Sequence, residues 1–274
     1  MTPIDELAFI GYPPLPSFRP EEDLPVRISV TFTWDYPTAV QMAKSWAAVY
    51  SDVRVGGPAC GDWGGEFSPG LFLRDGAVIT SRGCPRKCKH CFVPGREGKI
   101  RELEILDGWD VLDNNLLACS PEHVERVFEM LRRQSERIRL TGGLDACLFN
   151  ERHVELLKSI HIQTVFFAYD AAGIEPHLCR VVEMLGWIPE KRRRCYVLIG
   201  YPGDSLSDAD RRLRWVYNIG FLPYPMVYRD DSAMSQAEAI DRKWVELKGW
   251  WMLVKNYRHK DFDENKAISA IKKV

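Results

Sequence analysis

Three cysteines, Cys84, Cys88 and Cys91, fall within eight residues of a stretch that reads A-V-I-T-S-R-G-C-P-R-K-C-K-H-C-F-V-P from Ala77 to Pro94. An apolar, β-prone run, Ala77 to Thr80, leads through Gly83 into the C-x3-C-x2-C loop. No other feature constrains the chain as much, because three thiols on one short loop form a ready-made metal-binding edge. Three thiolates can wrap one corner of a cuboidal iron–sulfur cluster, each holding one iron. A fourth cysteine at ferredoxin spacing does not follow, so the fourth iron is left open to a small ligand. On zinc, an open coordination position marks a catalytic rather than a structural site, and the same logic points to reactivity here. A structural zinc site is the alternative. It needs a fourth ligand, with His90 or Cys60 as candidates, but the chain has no second C-x2-C half and no H-x3-H partner. Chance clustering of inert cysteines fits less well, because Arg86, Lys87 and Lys89 interleave the thiols and basic neighbours favour thiolates.

The triad after a strand, followed by Val93-Pro94 and Arg96-Glu97-Gly98, resembles the radical S-adenosylmethionine (SAM) superfamily, locally its methylthiotransferase and cobalamin-dependent branches. The resemblance implies a [4Fe-4S] cluster on Cys84, Cys88 and Cys91 whose open iron chelates the amino and carboxylate groups of SAM. Reductive cleavage would then give a 5'-deoxyadenosyl radical that abstracts hydrogen from a substrate. It further implies a reducing electron donor of the flavodoxin or ferredoxin type, which Arg82, Arg86, Lys87 and Lys89 are placed to receive. His90 stands where the family usually has an aromatic residue, and an imidazole can also cover the cluster edge.

The formal net charge of -1 over 274 residues exerts no global pull towards nucleic acid or membrane. No run of about 18 apolar residues occurs, and no basic head precedes an apolar core at the N-terminus, so a protein without membrane contact is expected. Eight cysteines, three of them in a metal-type cluster, fit a reducing compartment, and the cytoplasm is the expectation. Basic runs at 132–137, 191–194 and 211–214 read as solvated faces. The substrate, small molecule or macromolecule, is not encoded in any motif.

The fold class expected is α/β: a partial (β/α)6 TIM-like barrel of the radical SAM kind, preceded by a small Rossmann-like β-α-β half domain. Residues 1–26, rich in proline, read as an extended arm. Residues 27–72 form the half domain, with a strand at Arg27 to Thr33, a helix presenting Ala39, Met42, Ala43 and Trp46, and a second strand at Asp52 to Gly57. Its V-G-G-P-A ending resembles the start of a cobalamin-binding domain. The Asp-x-His-x-x-Gly signature for cobalt is missing, however, which argues against a cobalamin-dependent methyltransferase, and no second cysteine triad is present for sulfur insertion. Trp63-Gly64-Gly65-Glu66 precedes the cluster loop and reads as a turn. Residues 73–232 carry the barrel, with strands at Ala77–Thr80, Trp109–Leu112, Ile138–Leu140, Thr164–Ala168, Cys195–Ile199 and Leu222–Val227 and helices between them. Residues 233–274 form a helical tail whose Trp244, Trp250 and Trp251 read as core.

In barrels of this kind the reactive groups gather at the C-terminal ends of the strands. After the second strand, Asp113, Asn114 and Asn115 resemble a tripeptide that accepts hydrogen bonds from the SAM ammonium; an Asx-rich turn is the alternative. After the third, Gly142 and Gly143 would admit a ligand close to the backbone, with Asp145 facing SAM or substrate. The fourth strand ends at Tyr169 and Asp170, the latter either a SAM contact or a helix cap. The fifth ends in Gly200-Tyr201-Pro202-Gly203, where the resemblance places Gly200 and Pro202 near adenine, and the sixth would border adenine at Met226. A non-catalytic zinc or iron–sulfur scaffold remains the competing class.

Overall fold

The computed structural model describes residues 8, 11–13, 23–31, 35–60, 73–170, 173–229 and 241–254. Most of the proline-rich arm, the Trp63–Glu66 turn and the end of the tail lie outside them.

The first elements are β1 (Val26–Ser29), α1 (Tyr36–Trp46) and β2 (Val53–Gly56), with β1 and β2 parallel and Val26 opposite Val53. Pro37 sits in the first helical turn, where its missing N–H has no partner to lose. Val30, Ala39 and Ala59 form a small core of their own. The β-α-β order is the one expected from sequence.

Next come β3 (Ala77–Val78), β4 (Ser81–Arg82), a four-residue helix α2 (Val93–Arg96) and β5 (Arg101–Glu102). β4 and β5 are antiparallel and bracket the cysteine loop. The remaining elements alternate: β6 (Asp110–Val111), α3 (Pro121–Arg132), β7 (Ile138–Leu144), α4 (Glu151–Lys158), β8 (Ile162–Tyr169), α5 (Glu175–Met184), β9 (Arg193–Ile199), α6 (Leu206–Asn218), β10 (Leu222–Val227) and α7 (Arg242–Val254). Six of the strands form one parallel sheet in the order β3-β6-β7-β8-β9-β10. That is chain order, each strand laid beside the one before it, and it is the order a single right-handed winding of β/α units produces.

Local chemistry sets the helix starts. The Ser120 hydroxyl accepts from the His123 N–H at 3.2 Å with Pro121 in the first turn, and the Ser205 hydroxyl accepts from the Asp208 N–H at 3.1 Å. Asn150 and His153 close a reciprocal capping box on α4. The apolar stripe of each helix then covers one face of the sheet. Val127, Phe128, Leu131, Leu157, Leu178, Val181 and Leu213 join Ile138, Leu140, Val165, Phe167, Cys195, Val197 and Ile199 in one continuous core. Burying each large side chain contributes roughly 1.5–3 kcal/mol.

β7, β8 and β9 run longer than the sequence pattern predicts, whereas β3 and β6 are shorter, and β7 differs most. Thr141, Gly142 and Gly143 read as a loop but continue β7 to Leu144, across a register shift between Leu140 and Leu144. A bulge of this kind re-aims the strand end without ending the pairing. The tail helix α7 buries Trp244, Leu247 and Trp251, so its aromatic stripe is core. Gly200 (φ +76°) makes room for it: a Cβ there would stand 2.9 Å from the Trp244 ring.

Candidate metal centre

The cysteine loop is tied down at its base. Leu103 N–H donates to the Thr80 carbonyl at 2.9 Å, and Cys84 N–H to the Gly98 carbonyl at 3.1 Å. Gly83 lies between these ties with φ +87°, and a Cβ on it would fall 2.1 Å from the Lys99 carbonyl oxygen. Gly83→Ala therefore meets both a left-handed backbone penalty of roughly 1–2 kcal/mol and a direct clash. Its expected result is a loop that no longer closes, read as loss of bound iron after reconstitution and faster proteolytic cutting between 83 and 100, with helix content unchanged by circular dichroism.

The residues after β6 fix the loop to the sheet, and each has a separate task. Asp113, 1% exposed, accepts from the Thr80 N–H (2.6 Å), the Thr80 hydroxyl (2.6 Å) and the Ser81 hydroxyl (2.7 Å). Burial raises its carboxyl above the usual carboxylate range, against the pull of those three donors. Asn114 accepts from the Gly83 N–H at 3.1 Å. Asn115 alone faces the thiols: its amide donates to Cys84 Sγ at 3.4 Å and to Asp145 Oδ2 at 3.1 Å. Its carbonyl oxygen is buried with no hydrogen-bond partner. Of the tripeptide expected to receive an ammonium, Asp113 and Asn114 hold the loop instead, because β3 and β6 are only two residues long and need side chains to finish their pairing.

Asp145 is taken up from the other side. The Arg86 guanidinium donates to both its oxygens, at 2.7 and 2.9 Å, and the Cys147 N–H donates to Oδ1 at 3.0 Å. Burial by itself would raise the Asp145 carboxyl, but Arg86 and Asn115 outweigh it and hold the group below its ordinary value. The same pairing raises Arg86. A two-point clamp of this geometry is among the stronger polar contacts a protein makes. Gly142 does not open towards a ligand: a Cβ there would lie 2.1 Å from the Asp113 carbonyl oxygen, so its small size lets β7 approach β6. Gly143 (φ +92°) faces the Tyr196 ring.

At the far side, the His90 ring stacks on Tyr201 (centroids 4.5 Å apart, 22° between planes) and meets Tyr228 edge-on at 5.5 Å. Tyr201 follows β9 and Tyr228 follows β10, so the loop after the first strand of the sheet reaches the ends of the last two. Gly200 N–H donates to Asp204 Oδ2 at 2.8 Å, and Arg212 clamps Asp204 at 3.0 and 2.8 Å. Pro202 is exposed in the turn beside them. The Tyr169 hydroxyl donates to Glu175 at 2.5 Å, away from the thiols. Asp170 keeps a path to water, yet the crowding around it pushes its carboxyl up to about 6, and its charge is felt at Cys88 and Cys91. Met226 stands 41% exposed on β10.

Cys84, Cys88 and Cys91 are free thiols close enough that Cys88 feels the charge of Cys84, and Cys91 feels that of both Cys88 and Cys84. Burial raises Cys88, and burial raises Cys91 to about 11. The expectation that basic neighbours make thiolates is thus reversed at two of the three positions, because burial outweighs the pull of Arg86, which still lowers Cys88. A bound metal deprotonates its thiols outright, so the raised values describe the apo loop. No family model matches the chain, and no curated protein matches it.

Among the described residues, no three Cys, His, Asp or Glu side chains converge as a site for a single metal ion. A four-iron cube makes a different demand, because each thiolate binds its own iron and the sulfurs need not meet at a point. The donor set fits that demand: three neighbouring thiols and one buried, unpartnered carbonyl oxygen on Asn115 beside Cys84. Sequence reasoning missed the Arg86–Asp145 clamp and Cys147, whose thiol contacts Arg86. The only signal was charge complementarity 59 residues apart in sequence.

Proposed function

We propose that the protein is a radical SAM enzyme and that its parallel sheet is the partial barrel of that superfamily. The observation that carries this reading is the position of the cysteine loop over the C-terminal ends of the sheet, with contacts to Asn114, Asn115, Asp145, Tyr201 and Tyr228. Strand C-terminal ends are where β/α barrels carry their chemistry. Cys84, Cys88 and Cys91 would hold a [4Fe-4S] cluster. Such a cluster, with SAM bound, would supply radical chemistry for hydrogen abstraction from the substrate.

The chain's own groups position and shield. The unpartnered Asn115 carbonyl oxygen is an acceptor for the SAM ammonium, and Asp170 is a second acceptor from the middle of the sheet. The Arg86–Asp145 clamp holds the loop at a fixed height above β7. His90, Tyr201 and Tyr228 offer aromatic surface at the adenine end and exclude water there. Lys87, Lys89, Lys99 and Arg101 form an exposed basic rim suited to an acidic reductant of the flavodoxin or ferredoxin type. Among the described residues no helix is long and apolar enough to cross a membrane.

Anaerobic reconstitution with iron and sulfide, followed by SAM and dithionite, tests the reading. It predicts a broad absorbance from sulfur-to-iron charge transfer, close to four irons per chain as the cluster type requires, and release of 5'-deoxyadenosine. Zinc in place of iron, with no SAM cleavage, would assign the loop to a metal-binding scaffold.

A further inference from the structure

The face of the sheet opposite the helices is not an apolar core. Alternation along the strands points Asp110, Arg139, Thr141, Phe166, Arg194, Tyr196 and Tyr224 to that side, and their contacts confirm that they share it. Arg139 Nη2 lies 3.1 Å from Asp110, the Tyr196 hydroxyl donates to the Thr141 carbonyl at 2.7 Å, and Arg194 lies over the Phe166 ring at 5.6 Å. Phe166 stacks on Tyr196 with centroids 4.5 Å apart, and Tyr196 and Tyr224 stand at 85° with centroids 5.5 Å apart.

Among the described residues, the charges on this face do not balance. Arg74 and Arg139 share the single carboxylate of Asp110, while Arg194 makes no hydrogen bond or ion pair with any described residue, and its Nε is buried without a partner. Lys248, from α7, adds a further cation 5.8 Å from the Tyr224 ring. Burial lowers the proton affinity of the Arg194 guanidinium and nearby Arg139 lowers it too, against the opposing pull of Tyr196 and Tyr224. Phe166 already stacks on one side of Tyr196 and stands at 75° to Tyr224 with centroids 6.1 Å apart, so the three rings form one cluster, and a further ring would add to it on the side away from Phe166, in the perpendicular arrangement aromatic groups prefer.

We propose that this face binds the substrate, and that the substrate is a small anion bearing a planar ring, with its carboxylate or phosphate on Arg194 and its ring against Tyr196 and Tyr224 on the side away from Phe166. The inference rests on the radical SAM reading for its chemistry, though not for the binding itself. The Arg194 backbone lies five residues from the end of β9 at Ile199, about 16 Å at ~3.3 Å per residue. The charged end of the molecule is therefore held away from the cysteine loop, and the rest faces it. Arginine suits the role because its planar fork matches a carboxylate or phosphate at two points.

Calorimetric titration of the full, reconstituted chain tests this with four probes: 4-hydroxyphenylacetate, phenyl phosphate, 4-hydroxyphenylacetamide and cyclohexylacetate. At least one of the two aromatic anions is expected to bind tenfold or more tightly than both the neutral amide and cyclohexylacetate, whose ring is saturated and puckered, and which of the two wins separates a carboxylate from a phosphate substrate. Arg194→Gln should erase the preference for charge and leave that for the ring, while Tyr224→Leu should do the reverse, each with an unchanged circular dichroism spectrum. Absence of binding by any probe, equal binding by all four, or an Arg194→Gln protein with wild-type selectivity would overturn the proposal. The two readings fail separately. A protein that binds the probes without cleaving SAM loses the enzymatic assignment alone, and one that cleaves SAM but ignores the probes loses only the substrate class.

Discussion

Alanine at Cys88 is expected to strip the reconstituted protein of its iron and to lower 5'-deoxyadenosine release by more than about a hundredfold, the upper range seen when even a supporting residue behind a metal ligand is removed. Cys88 sits in the middle of the triad, and losing its thiol leaves two thiol ligands on a loop whose His90 is held against Tyr201 and Tyr228. The same substitution at Cys84 or Cys91 should have the same effect. Cys179→Ala, on the exposed surface of α5, is the control and should retain both iron and activity. Iron analysis and the SAM cleavage assay on the four variants decide the matter. A Cys88→Ala protein with full iron content would remove these thiols from the metal centre.

Asp113→Ala is expected to give the largest loss of stability of any substitution near the site, about 3–5 kcal/mol, because three buried donors lose their acceptor at once and each unsatisfied group costs roughly 1–3 kcal/mol. The donors are the Thr80 N–H and the Thr80 and Ser81 hydroxyls, in residues that are 0% exposed, so water does not replace the carboxylate. Asp113→Asn should recover most of the loss. Its carbonyl still accepts from the Thr80 N–H, and the two hydroxyls can turn to accept from its amide. Denaturant unfolding of the two variants measures the difference, with iron retention as a second readout because the same residues anchor the loop. Equal destabilisation by alanine and asparagine would show that shape rather than hydrogen bonding matters at this position.

The order of the elements was largely legible in advance. β10 occupies the expected residues, Leu222 to Val227, and α3, α4 and α6 begin directly after Ser120, Asn150 and Ser205, whose side chains cap them. These signals are local, since a cap or an alternating run acts on residues within one turn or one strand. The roles of residues after the strands were harder to read. Asp113, Asn114 and Asn115 look alike in sequence, yet one completes the pairing of β3 and β6, one holds Gly83, and one faces the thiols. Thr141 to Gly143 looked like a loop because two glycines usually break a strand. Here they extend β7, since β6 approaches too closely for a side chain at Gly142.

From the sequence alone came three thiols at a fixed spacing, an alternation of β and α units, and therefore an α/β chain with a metal-type loop after one of its early strands. Those properties depend on neighbours along the chain, which the order of residues contains in full. Which carboxylate meets Arg86, which amide carbonyl is left without a partner, and that the face opposite the helices gathers guanidinium groups around tyrosines depend on groups 30 to 60 residues apart. Such contacts exist only once the strands have paired in register, so they were decided by the tertiary structure.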